Sequence, residues 1–329
     1  MSDRALNLSL AAAALAATLA ACLLGSTPLP PARMLAALFG GGAPGDAVIV
    51  WAIRLPRALA AFAVGLALGA SGAALQGLLR NPLAEPGVLG VSASAALAAT
   101  VTLHYGLAAS FAPLLPLAAV AGALAATALV ALVAVRAASA VTLVLVGVGV
   151  SSFAGALMAL LMNLAPNPFS LADLVNWTLG SVANRSFDDL ALALPFLLPG
   201  LAVLFVTRRG LSALTLGEEA AAGVGLDVHR QRLLVVLGAG LATGASVALA
   251  GAIGFVGIVA PHLVRPLVGH DPARTLLPSA LGAGLFLVLA DIGVRILPTE
   301  TELKLGVVAA LVGAPLFAVI AASARRTAG

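Results

Sequence analysis

Of the 329 residues, 61% are hydrophobic and only 9% are charged, and the mean hydropathy is +1.12. A soluble domain carries about a quarter charged residues, so this composition excludes an ordinary water-soluble enzyme and makes lipid the solvent. The formal charge is +4, but the 17 Lys and Arg residues form no stripe with interleaved aromatics, which excludes a nucleic-acid face. Cys22, the one cysteine, excludes an internal disulfide and any multi-cysteine metal site.

A bilayer crossing takes about 20 apolar residues. Segments of that kind lie near 5–25, 57–79, 89–107, 112–135, 140–164, 189–207, 231–250, 251–268, 275–297 and 304–323. The expectation is an all-α polytopic membrane protein of about ten transmembrane helices, forming a single domain over 1–329. Leu19-Ala20-Ala21-Cys22 resembles a lipoprotein cleavage box. The run from Ala5 to Gly25, however, exceeds the 7–15 residues of a secretory apolar core and reads as the first membrane helix.

A Pro/Gly-rich excursion over 26–47 holds a short amphipathic piece around Arg33 to Phe39. In the next segment Gly65, Gly69 and Gly72 recur at helical spacing, as Gly251, Gly254 and Gly257 do later. Small residues let helix backbones approach, so both segments are expected at the centre of the bundle. Arg80-Asn81-Pro82-Leu83-Ala84-Glu85-Pro86-Gly87 then interrupts the chain, because two prolines stop a helix. A second excursion, 165–189, contains Ser170-Leu171-Ala172-Asp173, read as the N-cap of a short helix carrying Trp177.

The longest polar interruption spans 208–232. Two short helices with a glycine bend are expected there. They form either a solvated loop or a docking platform for a cytoplasmic partner. The stretch Gly254 to Arg265 is the second irregular segment, where Pro261 is expected to kink a helix.

Counting charge between segments with the N-terminus inside places Arg4, Arg80, Arg136, Arg208, Arg209, Arg230, Arg232, Arg265, Arg274, Arg325 and Arg326 in the cytoplasm, against six acids. Only Arg33, Arg54, Arg57, Arg185, Arg295 and Lys304 fall outside, against seven acids. The asymmetry favours cytoplasmic N- and C-termini. Arg54, Arg57 and Arg295 sit at outer helix ends, where an acidic partner would explain them. For Arg295 an internal pair with Asp291, one turn earlier, is the alternative.

No P-loop occurs, so the chain cannot cradle ATP phosphates itself. His104, His229, His262 and His270 show no i,i+4 pairing, and no catalytic constellation is apparent. A non-enzymatic transport subunit is expected. An ion-coupled secondary transporter, with Glu85, Asp291 and Glu302 as coupling carboxylates, is the rival from another class.

The residues that carry a resemblance run in order through the chain. They are Arg54-Leu55-Pro56-Arg57, Gly69 to Gln76, Asn81-Pro82-Leu83-Ala84-Glu85-Pro86-Gly87, Leu216-Gly217, Gly254 to Gly257, Pro261-His262-Leu263-Val264-Arg265, Ala290-Asp291, Gly306-Val307-Val308 and Gly313-Ala314-Pro315-Leu316-Phe317. With them the chain resembles the FecCD-like permeases of type II ABC importers, which move iron-siderophores, haem and vitamin B12. The resemblance implies a homodimer in the bacterial inner membrane, two cytoplasmic ATPase subunits that bind ATP and Mg, and a periplasmic binding protein. No cofactor is expected in the chain itself.

By the same resemblance Arg54, Arg57 and Arg295 match binding-protein docking positions. Leu216, Gly217, Glu218, Glu219, Ala220, Gly223 and Gly225 match the ATPase-coupling helices, and Ala138, Ser139, Ala140 and Val141 match the cytoplasmic gate. The stretch Pro166 to Ser181, with Arg185-Ser186, is most similar to the haem-importing branch, so haem is the expected cargo and vitamin B12 the alternative. His104, Tyr105, Met158 and Met162 are the side chains that could touch haem iron, although each also serves as membrane-helix filling.

Overall fold

A backbone in lipid has no water to bond and must satisfy its N–H and C=O groups within each segment. Helix is accordingly the only regular structure among the described residues. The computed structural model describes all residues except 1, 26–28, 112, 137–139, 298–301 and 327–329. The helices are α1 (Asp3–Leu23), α2 (Pro31–Leu38), α3 (Pro44–Ala47), α4 (Leu55–Leu79), α5 (Val91–His104), α6 (Leu114–Arg136), α7 (Ala140–Asn163), α8 (Pro168–Thr178), α9 (Phe187–Ala213), α10 (Glu218–Gly223), α11 (Val228–Ala250), α12 (Val256–Val264), α13 (Pro272–Ile296) and α14 (Leu305–Arg326).

Among the described residues seven helical runs are long and apolar enough to cross a membrane; α5, α12 with its following turn, and the stretch Leu305–Ala318 of α14 supply further apolar helix. Each of the ten expected segments corresponds to one of these. Several details differ from the sequence reading. The helix expected from residue 57 begins at Pro44, because α3 passes through a π-helical turn, Val48–Arg54, directly into α4. Pro44 suits the first turn, where its missing N–H has no partner to lose. The cap of α8 is Asn167 rather than Ser170: its side chain accepts the Ser170 N–H at 2.9 Å, and Pro168 takes the first helical position.

In lipid, helices associate through close packing rather than by escaping water. The most buried spans are α4 and α11; α4 packs on α13, α11 and α12, while α11 packs on α9 and α6. The expected role of Gly65, Gly69 and Gly72 holds. A Cβ added at Gly72 would lie 2.0 Å from the Gly257 carbonyl oxygen, and one at Gly65 would lie 2.4 Å from that of Ala283. Gly251 and Gly254 depart from expectation, because residues 251–254 are not helical. Gly251 ends α11 with φ +72°, where a Cβ would meet the Trp177 carbonyl, and only Gly257 enters α12. Three threonines in the spans bond their own helix: Thr18, Thr100 and Thr127 each donate to the carbonyl four residues back.

An ion pair of 2.5 Å between Asp3 and Arg274 sets the start of α1 beside the start of α13. The end of the bundle holding the N-terminus therefore also carries the last turn of α4, the α9–α11 connection and the end of α12. The opposite end carries Arg54, Arg57, Arg295 and α8.

Candidate functional site

The two Pro/Gly interruptions, far apart in sequence, meet in the structure. Glu85 Oε2 accepts the Phe255 N–H at 3.3 Å, and Gln76 Nε2 donates to the Gly257 carbonyl at 3.2 Å. Gln76 Oε1 accepts from Arg265. Phe255, at φ +67°, precedes the first turn of α12, and the Glu85 carboxylate takes one of the N–H groups that a helix start leaves open. Asn81 Oδ1 accepts the Leu83 N–H at 2.9 Å and closes the turn after α4, while the Gly87 carbonyl accepts the Ser151 hydroxyl of α7 at 2.9 Å. Burial pushes the Glu85 carboxyl above its ordinary value, against the pull of the Phe255 N–H. Pro261 lies inside α12, which gives way to a 3-10 turn at Arg265. His262 stacks edge-on against Phe317, with ring centroids 6.4 Å apart.

At the opposite end the three expected docking arginines have partners within the chain. Arg54 donates to the Cys22 and Leu23 carbonyls at 2.9 and 2.8 Å, closing carbonyls that the end of α1 leaves open. Arg57 donates to Asp291 at 2.9 and 2.7 Å and also bonds Glu302. Arg295 donates to Asp291 at 2.8 Å and to the Ala21 carbonyl at 3.0 Å. Asp291 is 1% exposed and lies between two guanidiniums. The expectation of outer cations without internal need is therefore corrected, and the i,i+4 pair of Asp291 and Arg295 is present.

Beside this cluster two adjoining cavities, of about 380 and 660 Å³, share Asn176, Ser181, Asn184 and Lys304. Three chain segments meet there: Ser181 N–H bonds the Ala250 carbonyl at 2.7 Å, and Gly306 N–H bonds the Gly180 carbonyl at 3.1 Å. Trp177 and Arg185 line the smaller cavity, and Glu302 lines the larger. His104 and Tyr105 pack edge to face with centroids 5.0 Å apart, and Met158 and Met162 sit half-exposed on α7.

At the N-terminal end, α10 is shorter than the two expected helices and follows a single 3-10 turn, Leu214–Leu216. Gly217, at φ +99° and ψ 157°, makes the bend in a backbone region essentially closed to side-chain-bearing residues. Glu218 pairs with the buried Arg232 at 2.5 Å and Ala221 is buried, so α10 is fixed to α11. Leu216, Glu219, Ala220, Gly223, Val224 and Gly225 remain exposed. Of the gate residues, Ala138 and Ser139 lie outside the described residues; Ala140 starts α7, and Val141 is exposed.

Sequence reasoning missed Glu302 as the partner of Arg57, Glu218 as that of Arg232, and Gln76 as the link between the two interruptions. The i,i+4 rule could find Asp291 with Arg295, but no local pattern marks pairs joined by tertiary packing.

A polytopic helical bundle with a polar recess at one end and an exposed short helix at the other has the form of a membrane transport subunit. Residues 13–323 match the FecCD transport family, and the chain belongs to that family, as a permease of the ABC-importer kind. It is 41% identical over 293 residues to the ABC transporter permease protein YvrB of Bacillus subtilis, covering 86% of this chain and 82% of that protein. It is 40% identical to the cobalamin import system permease protein BtuC of Halobacterium salinarum, over 82% and 72% of the two chains. It is 36% identical to the siderophore transport system permease protein YfhA of Bacillus subtilis, over 89% and 87%. A solved ABC transporter, described as of the metal-chelate type and in an inward-facing conformation, superimposes with a TM-score of 0.84 at 29% identity, covering 97% of this chain and 99% of that one.

Proposed function

We propose that the chain takes haem or a ferric chelate from a periplasmic binding protein and passes it to the cytoplasm of a bacterium, driven by ATP hydrolysed on partner subunits. The observation that carries this reading is the separation of two surfaces by the length of the bundle. Cavities lined by Asn176, Trp177, Asn184, Arg185 and Lys304 open at one end. The exposed face of Leu216 to Gly225 stands at the other. Amide and cationic donors suit the carboxylates of such chelates, and the Trp177 ring offers a flat apolar surface to a macrocycle.

On this reading the cavity end faces the periplasm, both termini are cytoplasmic and the membrane is the inner one. The working unit is a homodimer with two ATPase subunits seated on the α10 platforms. ATP and Mg bind those subunits, and the permease holds no cofactor of its own. Nucleotide binding and release bias the bundle between outward and inward states by differential contacts at α10, with Ala138 to Val141 as the gate. Docking of the binding protein proceeds by exchange at Arg57, an incoming carboxylate displacing the exposed Glu302. Arg54 and Arg295 hold the rim that presents it.

The test is uptake into proteoliposomes holding permease, ATPase and cognate binding protein, comparing haem, ferric siderophores and cobalamin. ATP-dependent uptake of haem or a ferric siderophore supports the reading; uptake of none of the three contradicts it. Cobalamin is the second reading, favoured by the 40% identity to a cobalamin permease. Uptake of cobalamin alone would replace the cargo and leave the permease role intact.

A further inference from the structure

A cavity of about 270 Å³ opens at the end of the bundle that holds the N-terminus, lined among others by Gln76, Arg80, Asn81, Thr215, Arg265 and His270. Among the described residues its lining holds two guanidiniums and an imidazole but no Asp or Glu. The nearest acid in sequence, Asp271, turns Oδ1 to the Ser212 hydroxyl and to the Ala273 N–H, capping α13. Glu85 bonds Phe255, and Glu218 bonds Arg232.

Arg265 is half-buried, and among the described residues the one hydrogen-bond partner of its guanidinium is the neutral Gln76. Because Gln76 Nε2 is held by the Gly257 carbonyl, its oxygen is the atom left to face Arg265, which fixes that guanidinium at the cavity wall. Arg80 and His270 both hold left-handed backbone, with φ +48° and +63°. Each closes a helical turn: the Arg80 N–H bonds the Gln76 carbonyl, and the His270 N–H bonds the Arg265 carbonyl at 3.0 Å. Glycine is the ordinary residue at such positions, and a side-chain-bearing residue there is strained. Two side chains with nitrogen donors therefore stand where local backbone energetics favour glycine, around a space whose described lining holds no acid.

We propose that this cavity binds a phosphate-type oxyanion, presented either as the headgroup of an anionic phospholipid or as free phosphate. The guanidinium fork matches a tetrahedral oxyanion, donating two parallel N–H bonds. The anion supplies the charge that half-buried Arg265 lacks, and it bridges the end of α4 (Arg80) to the turn between α12 and α13 (Arg265, His270). Ligation would tie together elements that border one cavity with Thr215 of the α9–α10 connection.

The test uses the purified full-length protein in detergent, titrated separately with phosphatidylglycerol, phosphatidylcholine and inorganic phosphate, with bound ligand read by native mass spectrometry and stability by thermal melting. Retention and stabilisation by phosphatidylglycerol alone assign a lipid headgroup; stabilisation by inorganic phosphate, with phosphate displacing phosphatidylglycerol, assigns the free oxyanion. In either case R80Q/H270Q binds roughly tenfold more weakly, the loss of charge-assisted hydrogen bonds. Its melting temperature in phosphatidylcholine is unchanged, because both side chains are exposed. R265Q abolishes binding; should loss of its Gln76 bond also unfold the protein, R80Q/H270Q decides. Equal binding of every ligand by wild type and R80Q/H270Q overturns the proposal.

Discussion

Arg57 and Asp291, 234 residues apart in sequence, join the first turn of α4 to the last turns of α13 through hydrogen bonds of 2.9 and 2.7 Å. Arg295 reaches the same carboxylate from one turn further along α13. Removing the carboxylate takes from the nearly buried Arg295 its one carboxylate partner among the described residues and leaves Arg57 only the half-exposed Glu302, whereas removing either guanidinium leaves the other in place. Asp291→Asn is therefore expected to cost about 3–5 kcal/mol of stability. Glu302→Gln, at an exposed partner of Arg57, is expected to cost about 1 kcal/mol or less. Thermal or denaturant unfolding in detergent compares the two; equal losses would remove the central role given to Asp291.

Glu302→Gln has a second consequence under the exchange account of docking. With its internal competitor weakened, Arg57 is expected to bind the cognate binding protein several-fold more tightly, as read by surface plasmon resonance on reconstituted complexes. Unchanged affinity together with unchanged transport would separate Arg57 from the docking surface.

Close approach at Gly72 makes a steric prediction. An added methyl would lie 2.0 Å from the Gly257 carbonyl oxygen, so Gly72→Ala is expected to destabilise by about 1–3 kcal/mol and to lower the yield of folded protein. Gly155 of α7 has nothing within 4 Å of an added Cβ. Gly155→Ala is expected to be neutral or to stabilise by up to ~1 kcal/mol, through helix propensity. Melting temperatures of the two variants, measured side by side, check the contrast.

How much of this was legible in the sequence depends on whether a signal is local. The ten apolar segments and the central place of α4 follow from composition and from the spacing of Gly65, Gly69 and Gly72. The Asp291–Arg295 pair follows from helical spacing. The start of α4 was missed because a π-turn breaks no apolar pattern. The helix expected over Gly251 to Gly257 was wrong because Gly251 meets the Trp177 carbonyl, a contact made by a segment some seventy residues away. The internal bonds of Arg54 and Arg57 run to the end of α1, to Asp291 and to Glu302, and no single-sequence periodicity reports such pairs. At α10, by contrast, the Glu/Ala/Gly run announced an exposed element, and only its anchor, Arg232, needed the fold.

The shift at Glu85 fixes the sign of a pH effect. Burial raises its carboxyl above the ordinary value of 4.5, so the folded state holds the proton more tightly than the unfolded chain. The stability this contributes is present below pH 4.5 and is lost as pH rises through the higher folded-state value. Melting temperature is therefore expected to fall over that interval in the wild type. Glu85→Gln, which keeps an acceptor for the Phe255 N–H and cannot ionise, should flatten this part of the profile. A wild-type profile already superimposable on that of Glu85→Gln would contradict the assignment.

The platform at α10 predicts separable effects. Leu216→Asp with Val224→Asp changes two exposed apolar side chains, so folding is expected to be intact while co-purification of the ATPase subunit falls by roughly tenfold or more. Glu218→Ala acts differently, removing the ion pair that fixes α10 to the buried Arg232 of α11 and lowering stability as well. Affinity capture and melting temperature, measured on the same preparations, distinguish the two.

The most direct measurement is energised uptake of chelate into proteoliposomes, made once with the complete permease–ATPase–binding-protein assembly and ATP, and once with the permease alone under an imposed proton or sodium gradient. Accumulation only in the ATP-energised assembly is the predicted result. Uphill accumulation by the permease alone on an ion gradient would contradict the account at its centre.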